Sequence, residues 1–420
     1  MTAFLCALIA AAFTAPAGSA DVGGGDTTRL DGLVLETLRK NPEIDAARDQ
    51  MDVMAGKAGE EGTLPPPELI FMREGMPAFR YRDAMFSRVE LMQMIPFPTK
   101  LASRREIAEI SALHAHHEHA EKALEVLRRL KTTYAELWYV QQSMALGARN
   151  SDLLARTLAV VRARFAAGGA GAEDVLRASL ESARNTNTLI ALRARERALK
   201  AMLMSIAGRS GPDTIGCAVL REPRPLEITP DSLVALALST RPAIEHDSLA
   251  VEEERRMLSA AKQEYIPDFR IGLQYMTAPL TGFNGWTVTA GVSIPFAPWS
   301  SGATASKIEE SEAGVNRAEA MLEASRASLR AEVTDLAARA ASEALQADNY
   351  RNEILPQSEE ALRAALGGYR AGRGVLLPLL DAYRMLNETT LDALMLTMEH
   401  AQTIAALEQA VGVIDISALR

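Results

Sequence analysis

Residues Pro267–Phe296 run PDFRIGLQYM, then TAPLTGFNG, then WTVTAGVSIPF, and their side chains alternate along both arms. Phe269, Ile271, Leu273 and Tyr275 share one face of the first arm, opposite Asp268, Arg270, Gly272 and Gln274. On the return arm Trp286, Val288, Ala290, Val292 and Ile294 oppose Thr287, Thr289, Gly291 and Ser293. A period of two over arms this long is the pattern of β-strand. Each arm has about the 9–11 residues that a tilted strand needs to cross a bilayer. One apolar face, one small and polar face, and aromatics near the ends read as a membrane-barrel hairpin. Phe269, Ile271, Leu273, Tyr275, Trp286, Val288, Val292 and Ile294 would then face lipid. A half-buried hairpin in a soluble sandwich alternates in the same way, but the rest of this chain is nearly all long helix.

Composition narrows the choice further. The chain is 48% hydrophobic but only 5% aromatic, and its net charge of −9 speaks against a nucleic-acid footprint. Met1–Ala20 carries no charge, holds an apolar run from Ala3 to Phe13 and ends in Gly18, Ser19 and Ala20. Residues 1–20 therefore read as a secretory signal peptide, and the glycine-rich 21–29 as a disordered N-terminal segment. No later stretch approaches ~20 apolar residues, so no spanning helix is expected. Cys6 lies within the signal, which leaves Cys217 alone and rules out an internal disulfide framework.

The chain repeats itself. Leu33, Leu38, Pro42 and Ile44 fall 200 residues before Leu233, Leu238, Pro242 and Ile244. Ile95-Pro96-Phe97 recurs 199 residues on as Ile294-Pro295-Phe296, and Phe165…Gly168 recurs 204 residues on as Tyr369…Gly372. Gly208 and Gly412 are also 204 apart. This is a tandem duplication: repeats 30–209, with its hairpin at 67–97, and 229–414, with its hairpin at 267–296. A proline-rich linker, 210–228, joins them, and 415–420 is a C-terminal tail. A period this long means two halves rather than a solenoid.

Each half reads as a helix, interrupted near Pro42 in the first, then a hairpin, then two long helices joined at a glycine turn. The expected helices of the first half are Leu30–Gly62, about Thr99–Ala167 and Ala172–Ala207. Those of the second are Asp231–Tyr265, Ala303–Ala371 and Val375–Val411. The helix after Pro98 has no proline or glycine until Gly147 and would span about 68 residues, or ~100 Å. Ile308, Val315, Leu322, Leu329 and Leu336 fall seven apart, with Ser311, Ala318 and Ser325 three further on. Ile110, Leu113, His117, Ala120, Leu124, Leu127, Lys131, Tyr134 and Trp138 make a similar seam. Such narrow heptad seams pack helices side by side, as in a coiled coil. The fold class is thus mainly α with a small membrane β part. Four strands cannot close a membrane barrel, so the chain must oligomerise; a dimer, trimer or tetramer would supply eight, twelve or sixteen strands.

The duplicated halves, the two hairpins, the paired long helices and the glycine turns in Arg164-Phe-Ala-Ala-Gly168 and Tyr369-Arg-Ala-Gly372 resemble the TolC-type outer-membrane efflux family. The corner Gln93–Leu101 is similar to the heavy-metal efflux branch of that family. The resemblance implies a homotrimer with a 12-stranded barrel in the bacterial outer membrane. A periplasmic α-helical barrel would continue it, docking a periplasmic adaptor (membrane fusion) protein and an inner-membrane efflux pump. It implies periplasmic tips at Gly168, Gly169, Gly372 and Arg373 that dock the adaptor. It also implies a constriction beside them. Asp381 matches one ring aspartate of the family, and Pro378 replaces the other. Asp174 and Tyr369 match residues that link helices, and Gly374 stands where the linking arginine would be, with Arg373 next to it. The plainer alternatives are helix-terminal glycines and solvated helix-face acids.

The resulting function is a passive exit duct of a tripartite efflux system, with metal cations among the conceivable cargoes. The alternatives are the outer-membrane channel of a type I secretion system and a pore-less periplasmic coiled-coil scaffold. No nucleophile elbow, phosphate loop or zinc-ligand spacing points to an enzyme or a cofactor. His114, His116, His117 and His119 form i,i+3 pairs on different faces and read as a polar helix face rather than a metal site. Met72, Met76, Met85, Met92 and Met94 read as apolar gap filling.

Overall fold

Proline and glycine divide this chain at the points where its helices end. The structure, a computed structural model, describes residues 28–75, 85–209, 211, 215–278, 282–299, 301–371 and 374–416. The signal peptide, Met76, Gly372 and Arg373 lie outside the described residues. The first repeat forms α1 (Leu30–Lys40), α2 (Pro42–Glu61), β1 (Glu68–Glu74), β2 (Phe86–Ile95), α3 (Pro98–Ala166) and α4 (Ala172–Ile206). The second repeats the order: α5 (Pro230–Thr240), α6 (Pro242–Gln263), β3 (Phe269–Ala278), β4 (Phe283–Val292), α7 (Ser301–Asn349), α8 (Leu355–Arg370) and α9 (Leu376–Val411).

Three expectations need correction. The segment expected as one helix over Asp231–Tyr265 is two, α5 and α6, because Pro242 breaks it at Arg241 as Pro42 breaks its counterpart at Asn41. The expected helix Ala303–Ala371 is interrupted by a π-helical turn, Tyr350–Ile354, directly before α8. Pro356 sits in the first turn of α8; it has no N–H to give the preceding turn, and the helix widens there. The first repeat has Asp152 at the equivalent place, and α3 runs unbroken. Finally, Ile294 falls beyond the end of β4, although it is exposed.

Two compact units form, each drawing on both repeats. One takes residues up to Asp45, Ala120–Arg241 and the chain from Ala327 onward; the other takes Ala46–His119 and Pro242–Arg326. The core of the first unit packs Leu33 and Ile44 against Leu130, Tyr134 and Leu137 of α3 and Leu203 of α4. The seam expected along α3 is only partly right. Leu113 is exposed, while Val126, Leu130 and Leu137 are buried, because here the helix packs on more than one side. On α7 the seven-residue seam holds through Ala318 to Leu329. The buried stripe then moves to Val333, Ala337, Ala340 and Ala344, as a 3.6-residue helix drifts from a 3.5-residue repeat.

The linker is not loose. Tyr134 Oη accepts from Val219 N (2.9 Å) and donates to the Thr28 carbonyl (2.8 Å). Gln141 accepts from Ala218 N (2.8 Å) and donates to the Gly216 carbonyl (3.2 Å). Gly216 N also donates to Thr28 Oγ1. Thr28, expected at the end of a disordered segment, is therefore bonded in place.

The duplication shows most plainly where each repeat closes. Gly208 and Gly412 both have left-handed backbones, φ 67° and 82°. Each ends a helix with the same six-residue loop bond, Arg209 N to Met204 O and Val413 N to Glu408 O. Each also presses on the break before a proline. A Cβ on Gly208 would collide with the Lys40 carbonyl, and one on Gly412 would lie 2.8 Å from the Thr240 carbonyl. Gly208→Ala and Gly412→Ala should each destabilise the first unit by more than about 1 kcal/mol, from strain plus collision. Thermal melts read by circular dichroism check this, with Gly56→Ala, where the space is open, as the tolerated control.

Candidate functional site

The strands form one antiparallel sheet in the order β1-β2-β3-β4. Its register stacks side chains in rows, and every second row faces the same way. Phe71, Val89, Tyr275 and Trp286 make one row; Leu69, Leu91, Leu273 and Val288 the next. Gln93, Ile271 and Ala290 follow, then Ile95, Phe269 and Val292. A polar row, Arg73, Ser87, Thr277 and Asn284, ends the band on the hairpin-loop side. Both Arg73 and Gln93, which disturb the first hairpin's alternation, thus share the apolar face; Gln93 turns its amide to the Pro65 carbonyl (2.8 Å).

Among the described residues that face is largely uncovered. Val288 is 73% exposed and Trp286 69%, and Phe269, Ile271, Leu273, Val292 and Ile294 are all exposed, while Tyr275 is half-buried. Tyr275 and Trp286 pack their rings at 4.8 Å. Below the sheet, Phe296 is exposed and Trp299 stands 89% exposed. The reverse face carries Glu90, Gln274 and Thr287 in one row, and Met92, Gly272 and Thr289 in another. The outer edges of β1 and β4 have no strand partner among the described residues.

The sheet is held at its base by Asp268. One carboxylate oxygen accepts from Phe97 N (3.0 Å) and the other from Lys100 Nζ (2.9 Å), while Asp268 N donates to Ser293 Oγ (2.7 Å). This explains the Gln93–Leu101 corner: Pro98 starts α3, and Lys100, nearly buried, pins that start to β3.

The glycine turns lie in the other unit. Gly168 is left-handed (φ 75°), and Gly169 N bonds back to the Arg164 carbonyl (2.8 Å). Helix termination alone accounts for Gly168. Arg164, which the sequence reading passed over, is the link between the turns. Its guanidinium lies 4.6 Å over the Tyr369 ring and donates to the carbonyls of Tyr369, Gly374 and Gly169 (3.3–3.5 Å). Between Asp174 and Tyr369, each matched to a helix-linking residue, no hydrogen bond forms. Tyr369 is buried, and its hydroxyl has no hydrogen-bond partner among the described residues. Burial raises its pKa, Arg164 opposes the rise, and Asp174 adds to it by charge alone. The sequence signal for Arg164 is a basic residue in the last helical turn before a glycine.

Asp381 lies on the exposed side of α9, opposite Leu379, Leu380 and Tyr383, which are buried. Arg384 stands 3.7 Å from it and binds Glu181 of α4 through two nitrogens, the shorter bond being 2.7 Å. Burial, with Glu181 beside it, pushes the Tyr383 phenol up to about 12.

The four histidines do not form one polar face: His116 is exposed, His114 and His117 are half-buried and His119 is buried, because the helix packs on this side. His114 meets His246 of α6 edge-on, ring centroids 4.4 Å apart, with its Nε2 3.0 Å from Glu253. Ser111 donates to Glu253, and Glu118 and Asp247 flank His246. Among the described residues no group of three His, Cys, Asp or Glu stands close enough to hold a metal ion, and no described helix is long and apolar enough to cross a membrane.

The outer membrane efflux protein family model matches residues 233–413, the second repeat almost entire. The second repeat thus carries the pattern of that family. Across 383 residues it is 20% identical to the cobalt-zinc-cadmium resistance protein CzcC of Cupriavidus metallidurans, covering 91% of this chain and 90% of the relative. Among solved structures it resembles CusC, with a TM-score of 0.78 at 14% identity over 94% of this chain and 95% of that one. It also resembles the outer membrane protein VceC of Vibrio cholerae, with a TM-score of 0.75 at 18% identity over 91% and 96%. These likenesses speak for the fold, and they span both repeats.

Within the family fold, the His114 pocket has a measurable consequence. Burial first, and His246 second, lower the His114 pKa below the ordinary histidine value, against the pull of Glu253 and Glu118. Burial also lowers that of His117. Such groups protonate first in the unfolded chain, so they favour the fold above about pH 6.5, and this contribution is lost as pH falls. The denaturant midpoint should drop between about pH 7 and pH 5, and His114→Leu should flatten that slope. Arg164→Ala should speed hydrogen exchange at Gly169 and Gly374 while leaving the α3 core protected, as expected when a clamp on two turns is removed.

Proposed function

We propose that the protein is the exit duct of a tripartite efflux system, passing substrate across the outer membrane without chemistry of its own. One observation carries this: the four-stranded sheet turns a mostly apolar face outward, and among the described residues neither edge strand has a partner. An edge in lipid must be paired by another chain. Among the closures open to four strands, the homotrimer with a twelve-stranded barrel is the one we adopt, on the family resemblance. Phe269, Ile271, Leu273, Tyr275, Trp286, Val288 and Val292 face acyl chains, and Ile294 and Trp299 sit at the interface, where Trp is favoured. The helices extend into the periplasm. Gly168, Gly169, Gly372 and Arg373 form the tips that meet an adaptor protein and an inner-membrane pump. Asp381, with Asp174, Tyr369 and Arg373, surrounds the constriction at that end. The similarity to a cobalt-zinc-cadmium resistance protein favours metal cations as cargo. A pore-less scaffold has no use for the exposed apolar face.

In detergent the purified protein should have the mass of three chains, and in planar bilayers it should conduct. A stable monomer that needs no detergent would overturn the barrel. Val288→Arg or Leu273→Arg should cost about 2–4 kcal/mol near the bilayer midplane, and Thr289→Arg, on the reverse face, markedly less. Equal tolerance of the three, measured as assembled trimer after extraction, would contradict the assigned faces.

A further inference from the structure

The charge on α9 is one-sided. The helix carries Asp381, Glu388, Asp392, Glu399 and Glu408, and Arg384 is its only Lys or Arg. Arg384 is also placed among carboxylates. It binds Glu181 at 2.7 Å, stands 3.7 Å from Asp381, and has Glu388 one turn further along, close enough for its charge to act on the guanidinium. Glu181 is largely buried, so its hold fixes the guanidinium in place; Arg184 also approaches Glu181, at 3.7 Å. Asp381, by contrast, is exposed. An anchored cation this close to an exposed carboxylate cancels much of its field at short range.

We propose that Arg384 sets the charge selectivity of the constriction, by screening Asp381 from a position that Glu181 maintains. This rests on the reading of the protein as a duct with Asp381 at its narrow end. A ring of bare carboxylates concentrates cations. A ring of Asp381–Arg384 pairs does so far less. The constriction of this chain is then a weakly selective one, and a single basic side chain keeps it so. Arg384 acts through Asp381 and is a positioning and screening residue, not a group that contacts cargo.

The test is the reversal potential of single channels in planar bilayers under a KCl gradient, for the full-length trimer. Arg384→Gln should raise the ratio of potassium to chloride permeability severalfold. Arg384→Lys, which keeps the charge, should stay close to the parent. Asp381→Asn should lower the ratio slightly, and Asp381→Asn with Arg384→Gln should lose most of the rise. Glu181→Gln, which frees the guanidinium without removing it, should give an intermediate value. A rise of the same size in the Asp381→Asn background would overturn the proposal, since Arg384 would then not act through Asp381. So would an Arg384→Gln channel with parental selectivity, which would leave the duct reading in place. A folded parent trimer that never conducts would overturn the duct reading, and this inference with it.

Discussion

A β-sheet can expose a wide apolar face only if its surroundings are apolar, and it can leave two edges open only if other strands arrive to close them. The four strands here pose both requirements at once. Their outward rows, from Phe71–Trp286 to Ile95–Val292, are largely exposed among the described residues. With no water in a hydrocarbon layer, the N–H and C=O groups along an open sheet edge need strands to pair with. On the duct reading, oligomerisation is a backbone requirement before it is a matter of side-chain affinity. The base of the sheet has to be firm for this to work, and Asp268, bonded to Phe97 N, Lys100 and Ser293, provides that firmness in a place where loops would otherwise hinge.

The two repeats share a plan and diverge where each does something particular. Asn41 caps α2 and reaches the Ile206 carbonyl, whereas its counterpart Arg241 pairs with Glu332 and Glu121. Asp152 lets α3 run on; Pro356 puts a π turn between α7 and α8. Near the turns, Arg164 occurs only in the first repeat and Arg384 only in the second, and each reaches across to the other repeat. Duplication supplied two similar helical hairpins. Single residues, a proline and two arginines, make the two unequal.

Buried charge follows the same economy. Glu408 is buried, which raises its pKa, yet Lys131 bonds it at 2.6 Å and also donates to the Ile414 carbonyl, tying the chain after α9 to α3. Removing either partner would leave the other unpaired in a dry place, a change that typically costs about 3–5 kcal/mol. The Lys131 interruption of the α3 seam, which looked like a flaw in a heptad, is the half of this pair that sequence order shows.

Period and punctuation were legible in the chain as written. Alternation of two marked the hairpins, the 200-residue offset marked the duplication, and proline and glycine marked nearly every helix end, because these signals are local properties of the backbone. The apolar face, including the misfit Arg73 and Gln93, could be assigned from one hairpin by analogy with the other. The partners across the fold could not be read in this way. Nothing in the order of residues says that Arg164 lies over Tyr369, that Arg384 binds Glu181, that His114 meets His246, or that the linker at 215–220 is strapped to Tyr134 and Gln141. Such contacts join residues from tens to more than two hundred positions apart, and they depend on which helix faces meet. That is decided by packing two near-equivalent sets of alanine-rich helices, in which small differences in volume choose among many similar seams, and only the tertiary structure resolves the choice.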